Sequence, residues 1–104
     1  MRILIFVFIA FLSISVHAAG REASGTVQLY ATAGNIIVSL SGSNQSCGNR
    51  YYFKPDTDYN RALLSMLLAA QMSNKRVWVN GEGSCISDYP FANAYKLINM
   101  SILP

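Results

Sequence analysis

Only one stretch of this sequence keeps a helical period. Tyr59, Ala62, Leu63, Met66, Leu67 and Ala70 recur at i, i+3, i+4 and i+7, and Leu64, Leu68 and Ala69 widen the apolar stripe. A helix is therefore expected over Tyr59–Met72, with Leu63, Met66, Leu67 and Ala70 turned to the core. Asp56-Thr57-Asp58 precedes it. Short polar side chains accept from free backbone N–H groups, and acids suit the positive end of the helix dipole. Ser73-Asn74-Lys75 ends it.

The runs around this helix are strand-like. Thr26–Ala31 places Val27, Leu29 and Ala31 on one face, and the turn Ala33-Gly34-Asn35 leads into Ile36–Leu40, so the two runs read as a hairpin. After the polar loop Ser41–Ser46, Cys47–Lys54 reads as a third strand, with Tyr51 and Phe53 on one face and Arg50, Tyr52 and Lys54 on the other. Pro55 stops it. Arg76–Asn80 alternates as a fourth strand, Gly81-Glu82-Gly83 reads as a turn, and Asp88-Tyr89-Pro90 breaks the chain before a last strand over Ala94–Ile102. Ala19–Ser24 shows no period and reads as a tail. The order β-β-β-α-β-β predicts a β-rich α+β fold: a five-stranded OB-like Greek-key barrel with one helix between strands 3 and 4. The alternative is one helix packed on an antiparallel sheet.

Residues 1–18 read as a secretory signal peptide. Arg2 supplies the positive start, Ile3–Leu12 is an unbroken apolar run, and Val16-His17-Ala18 is a small-residue cleavage site. That run is shorter than the roughly 20 residues a membrane span needs. Cleavage after Ala18 leaves residues 19–104 as a single small domain with no membrane span, secreted or periplasmic. So small a domain has a marginal core. The two cysteines, Cys47 and Cys85, offset this: in an oxidising compartment a lone pair closes, and a loop of this length is worth about 4 kcal/mol.

Cleavage also removes Arg2 and His17, the only histidine, and lowers the formal charge from +3 to +2. Without histidine the usual general base near neutrality is missing. Asp56 and Asp58 sit where helix caps sit, and Glu82 and Asp88 sit in turns, so the reading is not an enzyme; a small hydrolase is the weakest reading. Cys47 and Cys85 lack zinc-ligand spacing, so no metal site and no cofactor is expected. Export and the weak charge argue against nucleic acid, although the third and fourth strands mix basic and aromatic residues. Asn44-Gln45-Ser46 and Asn99-Met100-Ser101 match the glycosylation sequon, a pattern common by chance.

Three segments carry a resemblance. Cys47-Gly48-Asn49-Arg50-Tyr51-Tyr52-Phe53, the leucine- and alanine-rich run ending in Ala69-Ala70-Gln71, and Val77-Trp78-Val79-Asn80-Gly81-Glu82-Gly83-Ser84-Cys85 resemble a group of small secreted bacterial proteins of unknown function. More remotely, the strand order, and the helix followed by a V-x-V strand, are similar to the OB-fold B subunits of AB5 toxins of the subtilase and pertussis type. That resemblance implies a pentameric ring and binding to host glycans. The chain departs from those subunits in being shorter and in joining different elements through its cysteines.

The function expected is thus a secreted, non-enzymatic binding or assembly module, with a glycan or a protein as partner and a homo-oligomer as one form of assembly. The alternative is a monomeric structural or envelope protein with no small ligand. Val77 and Val79 turned inward leave Trp78 and Arg76 outward, on the same sense as Tyr52, Arg50 and Lys54. If strands 3 and 4 share a face, Trp78, Tyr52, Arg50, Lys54 and Arg76 form one aromatic-basic ligand surface. Such a surface stacks a sugar ring and pairs with an acidic sugar, or serves as an assembly hot spot.

Overall fold

The structure, a computed structural model, describes residues 21–104. The signal peptide and its cleavage after Ala18 lie outside these residues. Seven elements follow in order: β1 (Glu22–Gly25), β2 (Val27–Thr32), β3 (Asn35–Leu40), β4 (Arg50–Phe53), α1 (Asp58–Met72), β5 (Val77–Ile86) and β6 (Ala94–Ile102). The strands form one six-stranded sheet in the order β1-β5-β6-β4-β3-β2. Every neighbouring pair is antiparallel except β4 and β6, which run parallel.

The fold is β-rich with one helix between β4 and β5, but the five-stranded closed barrel is not what the hydrogen bonds describe. Among the described residues there are six strands, and the sheet ends on two edges, β1 and β2. The sixth strand lies in the stretch expected to be a tail. Glu22 to Gly25 pairs with Asn80 to Val77, a long-range ladder that no local period announces. The parallel β4–β6 pair also sets the sheet apart from the wholly antiparallel alternative.

The two edges come from one stretch of chain. β1 and β2 are separated only by Thr26, whose N–H donates to Ser41 Oγ (2.9 Å) and whose carbonyl accepts from Ser41 N (3.1 Å). The bend falls at Gly25, where φ is +149° and an added Cβ would lie 2.2 Å from Ser41 Oγ. Only glycine fits that conformation against that neighbour.

The β2–β3 hairpin closes through Ala33 and Gly34, both at positive φ (50° and 80°), with Thr32 opposite Asn35. Positive φ at both central residues matches the strand twist of a two-residue hairpin. Asn35 therefore opens β3 rather than sitting in the turn. β5 runs straight through Gly81-Glu82-Gly83, the segment expected to turn, because Gly81 pairs with Leu97 and Glu82 with Lys96. Register shifts flank this part of the strand and absorb the irregularity.

Helix α1 lies over the inner face of the sheet. Thr57 caps it, its Oγ1 accepting from Asn60 N at 3.1 Å. Asp58, expected as a cap, instead pairs with Arg61 at 2.6 Å on the exposed first turn. The C-terminus closes with Asn74 at φ 57°, Asn74 N donating to the Gln71 carbonyl and Lys75 N to the Ala70 carbonyl. This pair of bonds satisfies carbonyls the last turn would leave free. Leu63, Leu67 and Ala70 are buried, against Val27, Val38, Leu40, Phe53, Val77, Val79 and Leu97 of the same core. Each fully buried side chain of this size contributes roughly 1.5–3 kcal/mol. Met66 does not join them; it is 41% exposed. The buried stripe is narrower than the apolar one, so Met66 falls on its flank. Among the described residues no helix is long and apolar enough to cross a membrane.

Candidate functional site

An open cleft of about 380 Å³ lies at the C-terminal end of β4. It is lined by Asn35, Tyr52, Phe53, Lys54, Asp56, Asn60, Phe91 and Lys96. The sheet register explains the assembly: Tyr52 stands between Ile37 of β3 and Lys96 of β6. Alternation turns Tyr51 and Phe53 into the core, where they are fully buried, and turns Tyr52 the other way.

Phe91 arrives from the β5–β6 loop. Its ring packs on Tyr52 with centroids 4.4 Å apart and planes tilted by 48°. The loop is tied down by its own backbone. Asp88 O accepts from Phe91 N (2.8 Å) and Ala92 N (3.2 Å), and Ile86 O accepts from Asn93 N (2.9 Å). Tyr89, joined to Pro90 by a cis peptide, projects from the loop and is 89% exposed. Arg50 holds the far side, donating from Nη1 to the Ala92 carbonyl at 3.0 Å.

The polar rim is mixed. Lys54 is exposed, and its carbonyl accepts from Asn60 Nδ2 at 2.8 Å, joining the helix start to the end of β4. Lys96 lies 3.7 Å from Glu82 on the exposed face. Asp56 is the one acid on the rim. Asn35 is 5% exposed and donates from Nδ2 to the Ala33 carbonyl at 3.2 Å. With Phe53 buried in the core, the cleft thus offers the rings of Tyr52 and Phe91, two ammonium groups of which that of Lys96 is paired with Glu82, two carboxamides and one carboxylate.

The five residues expected to form one ligand surface are divided by the sheet. Tyr52 and Lys54 line the cleft. Arg50 spends its guanidinium on the loop carbonyl of Ala92. Trp78 is outward of Val77 and Val79, as alternation requires, and half-buried. However, β6 lies between β4 and β5, and Tyr52 is level with Lys96 and Glu82, not with Trp78. Glu82 to Trp78 is four positions along the strand, about 13 Å. Trp78 Nε1 donates instead to Glu22 Oε1 at 3.2 Å, across the β1–β5 pair. Arg76 is exposed just before β5, and its carbonyl accepts from Leu103 N at 2.8 Å.

Phe91, Lys96, Asn35 and Asn60 belong to the cleft and escaped the sequence reading. What pointed to the site was the strand alternation that sets Tyr52 and Lys54 opposite Tyr51 and Phe53. Nothing local reports that β4 pairs with β6 or that the loop folds back on it.

A second polar cluster flanks the Cys47–Cys85 disulfide, which spans 5.7 Å between Cα atoms. Asn44 Oδ1 accepts from Ser46 N (3.1 Å), Cys47 N and Gly48 N (3.0 Å), while its Nδ2 donates to Tyr51 OH (3.2 Å). Tyr51 OH donates to the Arg21 carbonyl at 2.8 Å. Tyr95 OH bonds Ser46 Oγ, and the Arg21 guanidinium sits 5.7 Å from the centre of the Tyr95 ring. Burial pushes the Tyr51 phenol above its ordinary range; the Asn44 hydrogen bond opposes this, and the nearby Tyr95 and Glu22 add to it. With its polar atoms engaged, this cluster fastens the 41–49 loop.

Among the described residues no group of three or more His, Cys, Asp or Glu side chains is placed to hold a metal ion. In comparison with known proteins, no family model, no curated protein and no solved structure matches the chain.

Proposed function

We propose that this chain is a secreted or periplasmic, non-enzymatic binding module whose ligand is a saccharide, on the pattern of toxin B subunits with an OB fold. The observation that carries the reading is the Tyr52–Phe91 ring pair at 4.4 Å, set in a cleft with Lys54, Lys96, Asn35 and Asn60 on its rim. Sugar rings present apolar C–H faces that pack on aromatic rings, and their hydroxyls need amide and ammonium partners. Lys96 is matched by Glu82, whereas Lys54 is exposed with no ion pair among the described residues, and its ammonium favours a sugar that carries a carboxylate. The OB-like element of the proposal has support in the chain path. The stretch 22–32 supplies both sheet edges, bent at Gly25, and a single helix separates β4 from β5.

A glycan array with the wild type, Tyr52→Ala and Lys54→Ala tests this. Tyr52→Ala abolishes binding while the disulfide and circular dichroism stay unchanged, and Lys54→Ala weakens acidic glycans more than neutral ones. Binding that survives Tyr52→Ala, or no binding to any glycan, overturns the reading in favour of a module that meets only protein.

A further inference from the structure

We infer that the outer face of α1 is a docking surface for a second copy of this chain, whose own α1 lies antiparallel across it. The chain carries no charged residue from Ala62 to Asn74. Within that stretch Met66 is 41% exposed, Leu68 43% and Met72 86%. Ala62, Ser65 and Ala69 are exposed between Met66 and Leu68, which edge this face on opposite flanks, about 200° apart around the helix. An outer helix face is ordinarily the charged one. Here the only charges on α1 are Asp58 and Arg61 in its first turn, and they pair with each other.

The charges at the two ends choose the occupant. Exposed Asp56 and Asp58 stand at the N-terminus with Arg61, which pairs with Asp58, so that these three leave one net negative charge there. Exposed Lys75 and Arg76 stand just past the C-terminus, with no ion pair among the described residues. Two copies packed antiparallel about Ser65 set the acidic end of each against the basic end of the other, twice. The same arrangement opposes the two helix dipoles. A parallel pairing sets like charge against like. A two-fold contact of this kind is self-complementary, so one apolar stripe serves both copies. The helix is about 22 Å long, and a contact of that length falls at the small end of specific interfaces. The association is therefore of the weak, reversible kind.

Sedimentation velocity and native mass spectrometry over a concentration series test the inference on the secreted chain. The wild type passes from one copy to two as concentration rises. Leu68→Lys weakens the association at least tenfold, with the disulfide and circular dichroism unchanged. Two charge variants give the orientation. Asp56→Lys with Asp58→Lys, and Lys75→Glu with Arg76→Glu, each stay single alone, and mixed together they form a heterodimer. A chain that remains single at every concentration overturns the inference. So does a discrete assembly of another size, an association indifferent to Leu68→Lys, or a mixture without the heterodimer. None of these readouts depends on saccharide binding, so the two proposals fail separately.

Discussion

Gly81 lies directly beneath Tyr95: a Cβ built on Gly81 would stand 2.6 Å from Tyr95 Cβ, with Tyr51 Cε2 at 3.0 Å and the Lys96 carbonyl at 3.1 Å. Neither the Tyr95 Cβ nor the strand carbonyl is the free end of a flexible side chain, so β5 and β6 must part to admit a methyl group. Gly81→Ala is expected to cost about 1–3 kcal/mol, in the range for overpacked cores. Urea denaturation followed by tryptophan fluorescence checks it, since Trp78 lies on the same strand.

The disulfide joins the 41–49 loop to β5 across the intervening helix. Replacing Cys47 and Cys85 together by alanine is expected to cost about 2–5 kcal/mol. The thermal midpoint of the double variant should fall by many degrees, and that of the wild type should fall likewise under reductant. An unchanged midpoint in both would show that the Asn44 bonds alone hold the loop.

Leu67 and Met66 are adjacent on α1 and should respond oppositely. Leu67 is fully buried, and Leu67→Ala is expected to cost about 2–5 kcal/mol. Met66 is 41% exposed, and Met66→Ala should stay within about 0.5 kcal/mol. The pair separates burial from helix propensity, because alanine favours the helix at both sites.

Tyr51 gives the chain a defined alkaline limit. Its phenol titrates higher in the folded chain than in the unfolded one, chiefly because burial disfavours the phenolate. Between those two values the folded state holds the proton that the unfolded state has lost. Tyr51's contribution is therefore complete below pH of about 10 and is lost as pH rises through the folded value. Tyr51→Phe removes that dependence. It also loses the bonds to the Arg21 carbonyl and Asn44 Nδ2, at about 1–3 kcal/mol near neutrality. Denaturation midpoints of both proteins from pH 7 to 11 should converge at the alkaline end.

Much of the local structure was legible because it has a local cause. The helix follows from its period, the β2–β3 hairpin from its turn, and the inward Tyr51 and Phe53 from alternation. What was hidden is long-range. β1 is four residues whose only strand partner is β5, and its sequence, Glu-Ala-Ser-Gly, has no strand signal. The cleft depends on a parallel pair and on a loop that brings Phe91 to Tyr52. The sharing of one face by Trp78 and Tyr52 could be read from alternation, but their offset along the strands could not.

The bend at Gly25 has a consequence for the order in which the sheet forms and opens. β2 joins β3 across a two-residue turn, a contact cheap in chain entropy. β1 must wait for Val77–Asn80, on the far side of the helix, before it has any strand to join. Local pairings form early and distant ones late. The same chain segment is thus at once the sheet's early margin and its last, with Thr26 as the boundary. In hydrogen exchange the amides of β1 should trade with solvent well before those that pair β3 with β4, so the molecule unzips from the Glu22 side.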